Sequence, residues 1–411
     1  MDILIDREKR ADYQKELLAN YQDKVLVVIK ANYPSNNKNN LETAYLSTKF
    51  FFKVKACLKI IDYSATSTNE GLIYYVIVDD KLKETKQLMI ALEETNLGRL
   101  VDLDVYDYHN QISRADLQIA PRKCFLCEEN AKACSRAQRH NLNDLISYFK
   151  QEIINDLFSE EKYVNLVIYG LINELNKPYG FGCVGINYQG SHQDMDYKTF
   201  IASIEVIANE FRKFENIDTR SFVKLRKFGQ SIEKAMFKAT SGINTHKGAI
   251  FSLILILAGL KNGANYLESS NEIKKLTKDI LLDFADETMS DSYGLELYKT
   301  TQNKGIRGYA YQGYDFLFNE IETYYTKAND DVKTYLLLIS QLEDTTIIKR
   351  GGFELLKELQ IKAKLALESL SYKELDNFCL NNNLSCGGSA DLLACIYVIN
   401  IVKNNYLKFK E

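Results

Sequence analysis

The chain has 411 residues, 46% hydrophobic and 26% charged, with a formal net charge of −3 at pH 7. That length suits two domains with large cores and no covalent staples. The slightly acidic balance argues against a dedicated nucleic-acid binder, which would carry a basic face.

The N-terminal stretch is charged and lacks an apolar core segment, so no signal peptide is expected. The most apolar run, residues 249–260, falls short of the about 20 residues that span a bilayer. The eight cysteines are spread unevenly, which favours metal or core roles over a disulfide framework. The chain therefore reads as cytoplasmic.

Residues 6–20 are amphipathic and helical, and 25–29 form a β-branched run that predicts a strand. A helix is expected over 41–61, a strand over 72–78, a helix over 80–94 and a strand over 100–106. This mixed texture predicts an α+β domain over residues 1–150. Beyond it, helical periodicity dominates: 163–176, 197–214, 221–238, 248–260, 272–284, 330–342, 354–370 and 391–400. Residues 151–411 are expected to form an all-α domain.

In the first domain, Gly98-Arg99-Leu100-Val101-Asp102-Leu103-Asp104-Val105 is the sharpest candidate site. Alternation on a strand puts Asp102 and Asp104 on one face, roughly 6–7 Å apart. Such a pair can hold Mg²⁺ against triphosphate oxygens, or can simply be solvated acids. Arg99 suits a phosphate by its bidentate fork, or a surface ion pair. Cys124-x2-Cys127-x6-Cys134-x5-His140 offers three thiols and an imidazole, a complete tetrahedral Zn²⁺ set; reduced, half-buried cysteines are the plain alternative. Arg114, Arg122, Arg136 and Arg139 cluster around it.

In the second domain, the run from Thr240 through Thr245-His246-Lys247-Gly248 precedes the apolar helix and offers backbone N–H groups to an anion. Gly387-Gly388-Ser389-Ala390-Asp391 opens another helix, with Ser389 a fair N-cap. Arg350-Gly351-Gly352 precedes a third, and Lys304-Gly305-Ile306-Arg307-Gly308 makes a basic turn. Four such loops suggest a shared polyphosphate pocket. His192, Asp194 and Asp196 place three ionisable groups within five residues, for Mg²⁺, for base catalysis or for a helix start.

These motifs carry a resemblance. Residues 4–141 resemble apo-citrate lyase phosphoribosyl-dephospho-CoA transferase, the holo-acyl-carrier-protein synthase of citrate lyase. The matching residues are Arg7, Glu8 and Arg10, the Gly98–Val105 segment, Ile112-Ser113-Arg114, Arg122, Cys124, Cys127, Cys134, Arg136 and His140. Residues 160–405 resemble triphosphoribosyl-dephospho-CoA synthase through Lys177-Pro178, Gly190-Ser191-His192, Asp194-Met195-Asp196, the run from Met236 to Phe251, and the run from Gly387 to Ala394. Departures from that family fall at Tyr309 (a glutamate in the family pattern), Thr346 and Cys386.

The resemblance implies a nucleotidyltransferase-like first domain and a bifunctional transferase. The second domain would make the triphosphoribosyl adduct from ATP and 3′-dephospho-CoA, releasing adenine. The first would attach it to a serine of the citrate lyase acyl carrier protein (the gamma subunit), releasing pyrophosphate. It implies Asp102 and Asp104 holding Mg²⁺ with Arg99 and Arg114 on phosphates. In the second domain, Asp194 or Asp196 would act as base or metal ligand beside His192. Thr245, His246, Lys247, Arg307, Arg350, Gly387, Gly388 and Ser389 would hold the nucleotide, and Asp391 would orient ligand or metal. Two other classes compete: a zinc-knuckle nucleic-acid binder, and a non-catalytic scaffold for citrate lyase assembly.

Overall fold

A computed structural model describes residues 3–284 and 293–411. The chain forms two compact units, Met1–Lys162 and Tyr163–Glu411.

The first unit is α+β. It contains α1 (Ile3–Asn20), β1 (Val25–Ala31), α2 (Leu41–Cys57), β2 (Ile60–Thr68), β3 (Gly71–Val78), α3 (Leu82–Glu93), β4 (Val101–Tyr106), β5 (Gln111–Ile112), α4 (Ala131–Arg136) and α5 (Leu142–Leu157). The strands pair antiparallel in the order β2-β3-β1-β4-β5. The element order β1-α2-β2-β3-α3-β4 with the spatial order β4-β1-β3-β2 is a split βαβ, or ferredoxin-like, arrangement. The expected helix over 41–61 stops at Cys57, and β2, which sequence reading missed, begins at Ile60.

Both faces of the sheet are covered. Tyr74 stacks on Phe51 of α2 with ring centroids 4.5 Å apart and planes within 8°. Leu26, Val28, Ile73, Tyr75 and Ile77 face the other way, against Tyr13, Leu17, Leu18 and Tyr21 from α1 and its C-terminal end. Asn40 caps α2 reciprocally with Thr43, a device worth about 1 kcal/mol. The helix α5 belongs to this unit: Lys49 Nζ lies 2.7 Å from Asp156 Oδ1, Tyr45 also bonds Asp156, and Phe149 packs edge-on against Tyr33. The first compact unit therefore runs through α5 to Lys162.

The second unit is all-α. Its helices are α6 (Lys162–Leu175), α7 (Tyr197–Phe211), α8 (Phe222–Ala239), α9 (Lys247–Asn262), α10 (Ser269–Leu276), α11 (Tyr293–Thr301), α12 (Gly305–Tyr311), α13 (Glu322–Ala328), α14 (Asp331–Gln341), α15 (Thr345–Ser369), α16 (Tyr372–Asn381), α17 (Gly387–Asn404) and α18 (Tyr406–Lys410). Helices α6, α9 and α17 are buried on nearly every side, as helices at the centre of a bundle must be. No described helix is long and apolar enough to cross a membrane. Sequence reading missed α11, α12, α13, α16 and α18, all short. The helix expected over 354–370 is the second of two segments that meet within α15 at Gly352, whose φ of 74° only glycine adopts freely; the first segment, from Thr345, was missed.

Candidate functional site

In the first unit, β4 alternates as its sequence requires. Val101, Leu103 and Val105 are fully buried, and Asp102 and Asp104 share the half-exposed face. In the ladder Lys30 of β1 stands opposite Asp102 and Val28 opposite Asp104. Lys30 Nζ lies 3.7 Å from Asp102 Oδ2 and also pairs with Asp104. Burial opposes the charge on Lys30, but the two aspartates outweigh it and hold its pKa above the ordinary lysine value. Burial likewise works against the Asp104 carboxylate, and Lys30 outweighs that, holding it below the usual range. Sequence reading missed Lys30; a lone lysine within Val-Leu-Val-Val-Ile-Lys-Ala was the available signal.

Arg122 completes this arrangement. Its Nη1 donates to Asp102 Oδ1 at 2.7 Å and its Nη2 to Gly98 O at 3.0 Å. Because β5 is short, the edge of β4 at Leu103 is unpaired by strand. Two α3 side chains replace that strand: Leu103 N–H donates to Glu93 Oε1 at 3.0 Å, and Lys86 Nζ donates to Leu103 O at 2.9 Å. Glu93 in turn holds Arg114 Nη2 at 2.9 Å. A cleft of about 710 Å³ opens here, lined by Asp102, Asp104, Arg114, Arg122, Lys132 and Arg136 among others. Arg139 lies away from this lining, paired with Glu129 at 3.3 Å. Arg99 lines an adjoining cleft and donates to the carbonyl of Cys124.

The ligand atoms of Cys124, Cys127, Cys134 and His140 all lie within 4.8 Å of one another. Cys134 Sγ is 3.5 Å from Cys124 Sγ and 3.9 Å from Cys127 Sγ, and His140 Nε2 is 3.2 Å from Cys127 Sγ. A zinc tetrahedron with Zn–S near 2.3 Å has sulfur–sulfur edges of roughly 3.8 Å. The set fits Zn²⁺ in donor chemistry and in size.

In the second unit, a cavity of about 130 Å³ brings together His192, Thr245, His246, Lys247, Gly387 and Asp391, with Glu174, Phe200 and Thr346 also in its wall. Asp391 accepts the Ala249 N–H at the start of α9; desolvation, with Glu174 and Asp344 nearby, pushes its carboxyl well above the ordinary value. Gly248 is obligatory at this contact, because a Cβ there would sit 2.1 Å from Asp391 Oδ2. Gly248→Ala is expected to displace the carboxylate and lower turnover at this site by about 100-fold, measured by steady-state kinetics.

Behind the cavity, Lys177 Nζ pairs with Glu174 Oε1 at 2.5 Å, with both side chains buried. An acid in an otherwise apolar helix was the missed signal for Glu174. His192 Nε2 lies 3.0 Å from Ser385 Oγ, and Arg350 Nη2 lies 3.2 Å from His192 Nδ1. Burial, reinforced by Arg350, lowers the His192 pKa. Arg350 Nη1 also donates to the carbonyls of Ser191 and Asn383, at 2.9 and 3.1 Å. His246 is 2% exposed, and burial, with Lys177, drags its pKa down to about 3.

The unfolded chain takes up a proton at histidine near pH 6.5 that folded His246 refuses. Its contribution to stability is therefore complete above that pH and is lost below it, by up to about 1.4 kcal/mol per unit. Urea unfolding followed from about pH 7.5 to about 5.5 should show this slope, shallower in His246→Gln.

Other candidate residues of this unit have structural duties. Asp194 is 64% exposed, with Oδ1 3.8 Å from His192 Nδ1, and it does not line the cavity. Asp196 is the N-cap of α7, accepting from Thr199 N at 2.9 Å. Ser389 does not cap α17, which begins at Gly387; its N–H and hydroxyl both reach Asp344 Oδ2, at 2.9 and 3.2 Å. Asp344 Oδ1 also takes Thr346 N–H at 2.9 Å, so one carboxylate serves two helix starts. A Cβ on Gly388 would come 2.9 Å from Asp344 Oδ1. Arg307 lies at a second cavity with Arg226, Glu233 and Asp283, its Nε 3.3 Å from Asp283 Oδ2. Lys247 lines both cavities. The Gly-loops thus converge in part: the basic turn at Arg307 serves the adjoining cavity.

An arginine-rich cleft with paired carboxylates and a carboxylate–imidazole cavity beside a basic one define a two-domain transferase of phosphorylated groups. Residues 1–156 match the family model described as apo-citrate lyase phosphoribosyl-dephospho-CoA transferase, and residues 160–408 match that of ATP:dephospho-CoA triphosphoribosyl transferase. A relative named Protein CitXG from Leuconostoc mesenteroides subsp. cremoris is 30% identical, over 98% of this chain and 97% of the relative. Protein CitXG of Haemophilus influenzae is 28% identical over 95% and 94%. A 2-(5''-triphosphoribosyl)-3'-dephosphocoenzyme-A synthase of Haemophilus ducreyi is 32% identical over 66% of this chain and 97% of its own length. The chain belongs to the CitXG family, in which the two transferase domains are fused in this order.

Proposed function

We propose that the chain makes and attaches the prosthetic group of citrate lyase. The second unit joins ATP and 3′-dephospho-CoA into 2′-(5″-triphosphoribosyl)-3′-dephospho-CoA and releases adenine. The first unit, acting as a nucleotidyltransferase-like domain on its split βαβ sheet, passes that group to a serine of the apo citrate lyase acyl carrier protein and releases pyrophosphate. The work is placed in the cytoplasm, without nucleic acid or membrane. The observation that carries this reading is the side-by-side match of both family models along almost the whole chain.

In the second unit, Asp391, whose carboxyl lines the cavity and accepts the Ala249 N–H, is the group best placed to take the proton of the attacking 2′-hydroxyl. The cations Lys247, Arg226 and Arg307 around the adjoining cavity suit the triphosphate. His192, bridged by Arg350 to Ser191 and Asn383, fixes the loop that closes one wall. Asp194 and Asp196 then act at the rim and at the helix start rather than on the reacting atoms.

In the first unit, Arg114, Arg122, Lys132 and Arg136 would neutralise the triphosphate, and Lys30 would hold the aspartates in place. The hard oxygens of Asp102 and Asp104 suit Mg²⁺, which when bound would offset charge on the transferring phosphorus. Zn²⁺ at Cys124, Cys127, Cys134 and His140 would be structural, holding the short helix α4 that carries Lys132 and Arg136.

The test is incubation with ATP, 3′-dephospho-CoA and the apo carrier protein, read by mass spectrometry of the carrier and chromatography of adenine. An unmodified carrier and no adenine would leave the scaffold reading.

A further inference from the structure

The imidazole of His246 has an orientation that the assignments above leave unused. Its Nδ1 lies 2.7 Å from Ser203 Oγ, and Thr245 Oγ1 donates to that same Ser203 oxygen at 2.7 Å. Each hydroxyl carries one proton, and its oxygen can accept two. Ser203 Oγ has no acceptor other than Nδ1 among the described residues, so with the Thr245 proton given to Ser203, the Ser203 proton goes to Nδ1. A neutral imidazole that accepts at Nδ1 carries its own proton on Nε2. The ring is further fixed by Phe200, which packs edge-on with centroids 4.8 Å apart and planes at 77°.

The Nε2 atom is buried and has no hydrogen-bond partner among the described residues. His246 lines the cavity that also holds Glu174, Phe200 and Asp391. A buried donor without an acceptor is costly, so the site is built for a ligand that supplies one. A phosphate is disfavoured there, because Glu174 and Asp391 share the wall and its lysine, Lys247, is paired with Glu233 at 3.3 Å. A neutral acceptor fits. The cavity, about 130 Å³, is also below the 300–1,000 Å³ of pockets that enclose whole cofactors, so it takes a fragment of the substrate.

We infer that His246 is a tautomer-locked neutral donor whose Nε2–H bonds a ring nitrogen, N3 or N7, of the leaving purine. This rests on the triphosphoribosyl-forming activity proposed for the second unit. In the reaction the C1′–N9 bond breaks and its electron pair passes to the purine. The acceptor's 2′-oxygen forms the new bond to C1′, and the proton of that hydroxyl ends on the purine. His246 neither gains nor loses a proton; its hydrogen bond strengthens as charge builds on the base. Ser203 is a positioning residue that acts through it.

The experiment compares base release from ATP, 3-deaza-ATP and 7-deaza-ATP, in which one acceptor nitrogen at a time is replaced by carbon. His246→Ala should lose about 100-fold on ATP, as on removal of a donor to a transition state. On one of the two analogues it should act like the wild type, which has already lost the same bond. An equal loss on all three substrates, or no loss on ATP, overturns the inference. Ser203→Ala, nearly isosteric, frees Nδ1 and should lower kcat with little change in KM. An unchanged kcat counts against the relay.

A readout independent of turnover is the ¹⁵N spectrum of histidine-labelled protein, whose four histidines can be assigned by single substitutions. His246 should be protonated at Nε2 and bare at Nδ1, and the reverse tautomer sinks the proposal even where His246→Ala fails to fold. Absent adenine release from the wild type sinks the function and this inference together, whereas a uniform loss in His246→Ala sinks the inference alone.

Discussion

Asp391→Asn is expected to cut adenine release by about 100- to 10,000-fold, the range for loss of a general acid or base, while the folded chain persists. Asparagine keeps the size of the side chain and an oxygen for the Ala249 N–H, which Asp391 accepts at the start of α9. It removes the proton acceptor alone. Because desolvation and the neighbouring Glu174 and Asp344 already oppose the charge on Asp391, its removal should not lower the melting temperature. Transfer of chemically supplied triphosphoribosyl-dephospho-CoA to the apo carrier should continue, since that step belongs to the first unit. Adenine release within tenfold of the wild type would return the base to another residue, with Glu174 next in line by its place in the same wall.

The parallel substitution Asp194→Asn separates two readings of the helical unit. Motif resemblance made Asp194 a candidate base, yet its side chain is 64% exposed and stands off the cavity. Sequence could show that acids cluster at 194–196 but not that one caps α7 and another faces solvent. Which residues share a cavity depends on how distant helices pack. His192, Thr245–Lys247 and Gly387–Asp391 come from three segments that only α7, α9 and α17 bring to one place.

Legibility was greatest where chemistry is local. The period-2 pattern of β4 put Asp102 and Asp104 on one face, and the cysteine spacing gave four ligands that do converge. It was least where partners are remote. Lys30 and Asp102 are 72 positions apart and meet only because β1 pairs with β4. Glu93 and Lys86 of α3 are buried because a two-residue β5 leaves Leu103 to be paired by α3. Short helices such as α12 and α16 were lost for a related reason: two to three turns give too few periods to register against neighbouring loops.

Asp102→Asn is the matching test of the first unit, with carrier labelling expected to fall by about 100- to 1,000-fold, as on loss of an electrostatic contact to the transition state. The carboxylate has three duties at once: it takes Arg122 Nη1 at 2.7 Å, faces Lys30 at 3.7 Å, and presents hard oxygens to the cleft. Asparagine retains an oxygen for Arg122, so the β4 edge and its Glu93 anchor should survive. What is lost is the negative charge that balances Lys30 and Arg122 and that any phosphate-bound cation would need. Adenine release should be unchanged, and that contrast identifies the defect as local to one head. Arg122→Lys distinguishes charge from shape: lysine cannot reach Asp102 and the Gly98 carbonyl together as the guanidinium fork does. If labelling survives in Asp102→Asn but fails in Arg122→Lys, the arginine and not the carboxylate is the principal phosphate-handling group of this cleft.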